Sequence, residues 1–362
     1  MRVIPPPQNS PNMSFLVDWL WKSGPTVRDI LDRKAGPEER RPAGFMRRFS
    51  SSILKQGPIP KHVALIMDGN RRYARKMNLS HVSDGHAMGF EKLAETLEWC
   101  LDLGINEVTV YALSIENFKR SKDEVDGLME LAKKSFSRLI EEEELIQKHK
   151  VCIRILGDME LLPVDVQKTI AKAVVLSRNN KRGFLNICIA YTSRYEMTQA
   201  AKQVAWGVEE GLLYPTDVSE QLLEKCFYTT DSSDPDLLIR TSGEVRLSDF
   251  LLWQSSYSCL SFLDVLWPEF SIWHLFQAIL QYQRDYRSIE EMRSSHFAER
   301  EKLLHESDMQ CVRAAAEDGK STVLHSVDSL IAEYKRNREQ RIEYFLSIIQ
   351  QKRETYMDKL CP

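Results

Sequence analysis

The stretch LLIRTSGEVRLS, residues 237–248, runs from an apolar segment directly into a polar turn. Its first three residues are aliphatic, which predicts a buried strand. Arg240, Arg246 and Ser248 follow around a glycine, and two guanidinium groups with a hydroxyl suit an anion such as a diphosphate. We therefore expect an anion site at the carboxyl end of a buried strand.

A second stretch, MDGNRR at residues 67–72, has the same organisation after the aliphatic run 63–66. Asp68 is expected to be free to hold Mg²⁺, which proteins bind through one or two carboxylates together with phosphate oxygens. Its neighbours supply a close backbone approach, a plausible helix cap and charged contacts to a phosphate: Gly69, Asn70, Arg71 and Arg72. Two basic clusters indicate two phosphorylated ligands in one cleft.

A third polar cluster, SIENFKR at residues 114–120, follows the predicted strand 107–113. Asn117 can hold a substrate or orient a proton-bearing group, and Arg120 can reach a phosphate. Structural loops do not need this polar inventory, so three such clusters at three strand ends favour one binding site.

His86 and Arg194 are further candidates with two interpretations each. His86 can contact a phosphate or shuttle a proton, and it can equally be a structural histidine. Arg194 can reach the same site, and it can equally be an ordinary arginine at the start of a helix.

Composition limits the class of protein. Net charge is −3, so no global field favours nucleic acid. Seven cysteines lie scattered without a CxxC motif, which indicates reduced thiols and neither a disulfide framework nor a zinc site. The pattern GxxxxGK[ST] of P-loop kinases is missing, and no nucleophile–histidine arrangement is evident.

The apolar pattern predicts an α/β fold with a central parallel sheet of about six strands surrounded by helices. The strand candidates are 63–68, 107–113, 151–157, 184–191, 236–241 and 259–266. Helical periods lie between them, at 85–102, 122–149, 164–180, 194–210 and 218–225, with more helix from 271 onward.

Three regions are expected along the chain. Residues 1–56 are rich in proline and form a variable, largely mobile extension with short amphipathic segments around Phe15 and Phe49. Residues 57–285 form the catalytic domain. Residues 286–362 form a helical extension suited to contact with a partner. The amphipathic segments can lie on a membrane or pack on their own domain.

Taken together, the clusters predict transfer of a carbon group from one diphosphate to a second diphosphate substrate, because a diphosphate is a leaving group whose charge Mg²⁺ and arginines neutralise. A Mg²⁺-dependent phosphohydrolase with Asp68 as nucleophile is an alternative, but it leaves the cluster at Arg240 unexplained.

The motifs resemble those of the cis-prenyltransferase (undecaprenyl diphosphate synthase-like) family, and its eukaryotic branch is the most similar. The resemblance covers about residues 57–285, and the motifs that carry it are MDGNRR (67–72), GH (85–86), SIENFKRS (114–121), RTSGEVRLSDFLLWQ (240–254) and WPEF (267–270). It implies a parallel sheet whose surrounding helices enclose a hydrophobic tunnel.

The resemblance also implies roles for the residues. Asp68 would bind Mg²⁺ and the allylic substrate, farnesyl diphosphate, and Asn117 would help to position the proton that is lost. The allylic diphosphate would be cradled by Gly69, Asn70, Arg71 and Arg72, with His86 and Arg120. Isopentenyl diphosphate would be held by Arg240, Arg246 and Ser248. Repeated condensation would give a long polyprenyl diphosphate, the dehydrodolichyl diphosphate precursor of dolichol for protein glycosylation.

Two departures from the family pattern suggest an incomplete site. Single-subunit members carry a metal-binding glutamate eleven residues after the serine, where this sequence has Cys259. They also end in an R-x-G motif, which is absent from these 362 residues. Eukaryotic relatives take R-x-G from a membrane-anchored partner of the Nogo-B receptor type. The resemblance thus implies a heteromer, peripheral on the cytosolic face of the endoplasmic reticulum membrane. The alternative is a non-catalytic scaffold subunit of the same complex.

Overall fold

The computed structural model describes residues 40–79, 82–141, 150–317 and 327–361. Within them, six strands form one sheet in which every pairing is parallel. The strands are β1 (His62–Ile66), β2 (Glu107–Ser114), β3 (Val151–Leu156), β4 (Gly183–Tyr191), β5 (Leu237–Arg240) and β6 (Cys259–Phe262). The predicted fold class is confirmed.

The strand order is β3-β4-β2-β1-β5-β6. β1 therefore lies in the middle, with β2 on one side and β5 on the other. Ile66 is in register with Arg240, which places the two polar stretches that follow these strands side by side. Parallel strands end at the same edge of the sheet, so the clusters that are remote in sequence meet in space.

Helices cover both faces of the sheet and extend beyond it. They are α1 (Arg40–Leu54), α2 (Asn70–Lys76), α3 (Val82–Leu103), α4 (Lys122–Glu141), α5 (Val164–Ser177), α6 (Ser193–Glu209), α7 (Glu220–Cys226), α8 (Ile272–Glu317) and α9 (Val327–Leu360). Among the helices of the described ranges, none has an apolar stretch long enough to cross a bilayer.

Alternate residues of the strands pack on opposite faces. Val63 and Leu65 of β1 face a core shared with α3 and α8, whereas Ala64 and Ile66 pack with Phe250 on the other face. This burial on both sides explains why the strands read as continuous apolar runs.

The sequence placed most elements within a few residues of their observed ends. The last strand is shorter than expected, since β6 ends at Phe262 and the predicted strand ran to 266. The expected helix 122–149 is described to Glu141, and the rest of it lies outside the described residues, as does the segment around Phe15. The expected division between residues 285 and 286 falls inside α8.

The C-terminal helix returns to the domain. Phe345 of α9 is fully buried in a cluster with α6 and α7. Arg353 donates to the carbonyl oxygens of Cys226 and Phe227, which satisfies acceptors at the end of α7. Arg338 and Asp308 form a buried ion pair between α9 and α8. The C-terminal helix is therefore packed onto the other helices of its own chain.

Candidate active site at the carboxyl ends of the strands

A cavity of about 990 Å³ opens where β1, β2, β4 and β5 end. Every candidate residue from the sequence lines it: Asp68, Gly69, Asn70, Arg71, Arg72, His86, Asn117, Arg120, Arg194, Arg240, Arg246 and Ser248. The three strand-end clusters and the two separate candidates thus meet in one place.

Asp68, which the sequence predicts to hold Mg²⁺, is itself held by neighbouring residues from several directions. Its Oδ2 accepts a hydrogen bond from Arg240 Nη2 at 2.8 Å, and its Oδ1 accepts one from the Gly69 N–H at 2.7 Å. Thr241 Oγ1 accepts from the Asp68 N–H at 3.0 Å and donates to the Asp68 carbonyl oxygen at 2.7 Å. The register of β1 and β5 brings these groups together.

Arg240 keeps Asp68 ionised. Partial burial alone would raise the pKa of Asp68, but the hydrogen bond and the charge of Arg240, with the Gly69 N–H, outweigh burial and hold the pKa below its usual value. The carboxylate is therefore negatively charged at pH 7.

The two arginines of the 240–248 stretch have different surroundings. Arg240 is 3 % exposed, and its Nη1 donates to the Arg246 carbonyl oxygen and, at 2.7 Å, to Ser248 Oγ. The Arg246 side chain is 61 % exposed and pairs with Glu244. Of the two guanidinium groups expected to suit a diphosphate, Arg240 is engaged within the protein and Arg246 is presented to the cavity.

Glu244 links the two basic clusters. Arg72 approaches Glu244 Oε1 at 3.6 Å and donates from Nη2 to the Ser242 carbonyl oxygen at 2.8 Å. With the pair between Arg246 and Glu244, one carboxylate lies between an arginine of each cluster. Glu244 was not among the candidate residues, because no sequence pattern distinguishes a functional glutamate in a turn from an ordinary one.

The turn after β1 differs in one detail from the expectation. Gly69, with φ 107°, is the cap residue of α2, and Asn70 is the first helical residue. A side chain at Gly69 would also meet Leu266 at 2.9 Å, so the position requires glycine for two reasons. Asn70 Nδ2 donates to the Met67 carbonyl oxygen at 3.4 Å, which orients the side chain within the turn.

His86 lies among charged neighbours. Arg120 donates to Glu124 at 2.7 Å, and Arg71 approaches the same carboxylate at 3.7 Å. Burial first, and then the charge of Arg120, lower the pKa of His86, against an opposing effect of Glu124. The imidazole is therefore neutral at pH 7 and has both a donor and an acceptor nitrogen.

Asn117 belongs to a reciprocal cap. Its Oδ1 accepts from the Ser114 N–H at 3.0 Å, and Ser114 Oγ accepts from the Glu116 N–H at 3.2 Å. The cap fixes the side chain of Asn117 at the cavity wall.

Arg194 lies both at the start of a helix and at the cavity, as its two interpretations required. It lies in the first turn of α6, its side chain is 77 % exposed, and it lines the cavity. Its Nε donates to Asp249 Oδ2 at 2.9 Å.

Most of the remaining lining is apolar and comes mainly from α3, α4 and the strands. It includes Phe90, Leu93, Val110, Leu113, Leu128, Met129, Phe136, Ile187, Ile189 and Trp267. The sequence does not mark these residues as cavity-lining, because an apolar stripe on a helix has the same pattern whether it faces a core or a cavity. Such a wall suits a hydrocarbon chain attached to a diphosphate.

The polar side chains of the cavity fit one particular kind of Mg²⁺ site. Within the described ranges, no group of three or more His, Cys, Asp or Glu side chains could form a metal cage. Asp68 is an ionised carboxylate at the polar end, surrounded by arginines. Mg²⁺ bound by one carboxylate and by substrate phosphate oxygens needs no more than this.

Cys259 lies away from Asp68. It pairs with Leu237 at the beginning of β5, at the opposite edge of the sheet from the cavity, and it is buried in the core with α3 and α8. Burial raises the pKa of its thiol to about 11, so it is an inert core side chain. Its presence in place of glutamate therefore leaves the cavity lining of this chain unchanged.

Comparison with known proteins gives consistent results. A family model described as "Putative undecaprenyl diphosphate synthase" matches residues 66–290. The human dehydrodolichyl diphosphate synthase complex subunit DHDDS is 53 % identical over 323 residues, which is 86 % of this chain and 95 % of the human protein. A tritrans,polycis-undecaprenyl-diphosphate synthase (geranylgeranyl-diphosphate specific) of Methanopyrus kandleri is 46 % identical over 237 residues, 66 % of this chain and 87 % of that protein.

A solved structure agrees as well. Lavandulyl diphosphate synthase from Lavandula x intermedia, in complex with dimethylallyl diphosphate, superposes with a TM-score of 0.58 at 36 % identity, covering 62 % of this chain and 95 % of the plant chain.

Proposed function

The chain belongs to the undecaprenyl diphosphate synthase family of cis-prenyltransferases, and we propose that it is the catalytic subunit of a complex that condenses farnesyl diphosphate with several isopentenyl diphosphates. The product is a long polyprenyl diphosphate, dehydrodolichyl diphosphate, from which dolichol for protein glycosylation is made. The human relative at 53 % identity is named as a subunit of a dehydrodolichyl diphosphate synthase complex, which supports this assignment.

One observation carries the proposal. Two basic clusters and an ionised carboxylate line the same cavity as a wall of aliphatic and aromatic side chains. A phosphohydrolase needs one anion site, and a dehydrogenase needs none of this apolar depth. Two diphosphates and a growing hydrocarbon need all three parts.

The residues have separate tasks in the proposed reaction. Gly69, Asn70, Arg71 and Arg72, with His86 and Arg120, hold the allylic diphosphate, and charge-assisted donors stabilise it as the C–O bond breaks. Arg246 and Ser248 hold isopentenyl diphosphate. Asn117 positions the group that receives the proton lost after the isopentenyl double bond has attacked.

Arg240 supports both halves of the site. It holds the Asp68 carboxylate through Nη2 and the Ser248 hydroxyl through Nη1. Asp68 would hold Mg²⁺ together with diphosphate oxygens. Bound Mg²⁺ would neutralise the charge that develops on the leaving diphosphate.

The name of the human relative, a subunit of a complex, supports a partner for this chain, and the family resemblance implies that such a partner supplies an R-x-G motif. We propose a subunit of the Nogo-B receptor type, anchored in the endoplasmic reticulum membrane, that supplies this motif in trans. Helix α1 is suited to a peripheral position at such a membrane: Leu54 packs into the core, whereas Met46, Phe49 and Ile53 are more than half exposed. Arg47 and Arg48 flank this apolar surface.

The deciding experiment measures incorporation of labelled isopentenyl diphosphate onto farnesyl diphosphate with Mg²⁺, for this chain alone and with an R-x-G partner. Strong activity only with the partner is the expected result. Strong activity of the chain alone would mean that the missing motif was overinterpreted, and no activity in either case would contradict the proposed reaction.

The variant Asp68→Ala in the same reconstituted complex separates a catalyst from a scaffold. A catalytic subunit should lose most turnover while still binding its partner, as checked by gel filtration of the complex. Full activity of the variant would show that this chain is a non-catalytic scaffold.

A further inference from the structure

The turn that follows the 240–248 stretch has an unusual backbone. Ser248, Asp249 and Leu251 have φ angles of 50°, 61° and 45°, in the left-handed region that residues other than glycine rarely adopt. Such strain persists only where the surrounding structure imposes it, and it is concentrated at functional sites. Contacts around Asp249 show what imposes it here.

The amino end of α6 binds Asp249. The Ser193 N–H donates to the Asp249 carbonyl oxygen at 2.8 Å, and the Arg194 N–H donates to Asp249 Oδ1 at 3.0 Å. These are two of the N–H groups that a helix leaves without an internal partner at its start. Thr192, the residue in the cap position, makes no side-chain cap hydrogen bond within the described structure. Asp249 caps this helix from a different part of the chain.

Neighbouring contacts fix both flanks of the turn. On the far side, the Leu252 N–H donates to Ser193 Oγ at 3.1 Å. On the near side, the Tyr111 hydroxyl is 3.1 Å from the Tyr191 carbonyl oxygen and 3.3 Å from the Ser248 carbonyl oxygen, so its single proton is shared between the two acceptors. The turn is thus attached to a 17-residue helix and to the wall of the cavity.

The charge of Asp249 is also accounted for. Its side chain is only 13 % exposed, and both oxygens face donors, the Arg194 N–H and Arg194 Nε. A carboxylate at the start of a helix is stabilised by the helix dipole as well. Asp249 can therefore lie beside an anion site without repelling the anion strongly.

We propose that Asp249 is a positioning residue for the isopentenyl diphosphate half of the site. By capping α6, Asp249 holds the left-handed turn in place. This turn positions Ser248 Oγ at 2.7 Å from Arg240 Nη1 and directs Arg246 into the cavity. The inference rests on the proposed function, because it is this half of the site that Asp249 orients.

Two substitutions isolate the contacts from the backbone strain. Asp249→Gly tolerates a positive φ and keeps the carbonyl oxygen for the Ser193 N–H, but it removes the side-chain part of the cap. Asp249→Asn tolerates a positive φ and also keeps a side-chain oxygen for the Arg194 N–H. In the complex of the full-length chain with its R-x-G partner, Asp249→Gly should weaken binding of isopentenyl diphosphate roughly tenfold, by calorimetry and as KM. Asp249→Asn should weaken it less than about threefold. KM for farnesyl diphosphate should stay unchanged in both.

Two further variants test the Arg194 contact and provide a control. Arg194→Ala removes the bond from Nε together with a guanidinium that lines the cavity, so it should weaken binding of isopentenyl diphosphate at least as much as Asp249→Asn. Asp358→Ala removes a surface aspartate that pairs with Arg178 elsewhere in the chain, and it should change neither KM.

The outcomes are distinguishable. If the wild-type complex incorporates isopentenyl diphosphate and Asp249→Gly binds it as tightly as wild type, the positioning role is wrong and the proposed function stands. Equal losses for the two substrates would also overturn the role, since they would indicate general damage to the fold. If the wild-type complex neither binds nor incorporates isopentenyl diphosphate, the proposed function and this inference fall together.

Discussion

Arg240 and Arg246 lie six residues apart in the sequence, and they have different roles in the structure. The Arg240 guanidinium is enclosed by Asp68, Ser248 and the Arg246 carbonyl oxygen, whereas Arg246 extends into the cavity. The same residue type thus supports the site in one position and is available to a substrate in the other. Substitutions at the two positions should therefore have different consequences.

Arg246→Ala should raise KM for isopentenyl diphosphate roughly ten- to hundredfold, because a charge-assisted hydrogen bond to a substrate is worth about 1.5–3 kcal/mol. Its thermal stability should not change, since the side chain is largely exposed. Initial rates at varied isopentenyl diphosphate and a thermal melt are the two measurements. An unchanged KM with an unchanged rate would contradict the assignment.

Arg240→Ala should lower the stability of the folded chain by about 1–3 kcal/mol as well as its turnover, because it removes a buried guanidinium and its hydrogen bonds to Asp68 and Ser248. Urea unfolding of this variant beside Arg246→Ala makes the comparison. Equal stability of the two variants would show that the Arg240 contacts contribute nothing to the fold.

Helices α6 and α9 meet at a close contact, between elements that are more than a hundred residues apart in sequence. A Cβ at Gly207 in α6 would come within 2.5 Å of the Phe345 ring, which is fully buried. Glycine is otherwise unfavourable inside a helix by about 0.5–1 kcal/mol relative to alanine. The glycine is therefore explained by the approach of α9, which the helical pattern around residue 207 does not reveal.

A double-mutant cycle tests this contact. Phe345→Ala should destabilise the chain by about 3–5 kcal/mol, and Gly207→Ala alone should also destabilise it, because the new methyl group overlaps the ring. In the Phe345→Ala background, Gly207→Ala should destabilise the chain much less, since the close contact that remains is with Leu213 Cδ1 at 2.9 Å. Urea unfolding of the four proteins gives the coupling energy, and strict additivity would mean that α9 does not pack on α6 as described.

For the whole molecule, three histidines make stability depend on pH. The pKa values of His62, His86 and His274 are lowered, and burial is the largest cause in each. A histidine with a lowered folded pKa contributes stability that is fully present above the unfolded value of about 6.5. That contribution is lost as the pH falls from there to the folded pKa.

His62 offers the clearest measurement. It is 2 % exposed, with Nδ1 at 2.6 Å from the Ser233 carbonyl oxygen and Nε2 at 2.7 Å from Thr109 Oγ1, an arrangement that suits a neutral ring. Its imidazole resonance should titrate below pH 6.5. The stability difference between wild type and His62→Gln should shrink between pH 7.5 and about pH 5.5. A resonance that titrates above pH 6.5 would show the opposite sign of linkage.

The local sequence determined the elements and the chemical inventory of the site. Continuous aliphatic runs between helical periods specified a parallel sheet, because strands buried on both faces must be apolar on both. Polar clusters directly after three of these runs specified a site at the strand ends. The motifs of residues 67–72 and 240–248 predicted two anion sites in one cleft, and the structure places both motifs at the same cavity.

Only the tertiary structure decided which groups are engaged and which face the substrate. Arg240 turned inward because the register of β1 and β5 places it against Asp68. Asp249 became the cap of α6 because a turn near residue 250 meets a helix that begins at Ser193. The apolar cavity wall and the contact of Phe345 with Gly207 likewise join segments remote in the chain. Local sequence patterns show which residues are apolar or charged. The contacts of each side chain depend on packing between distant segments, and no local periodicity predicts that packing.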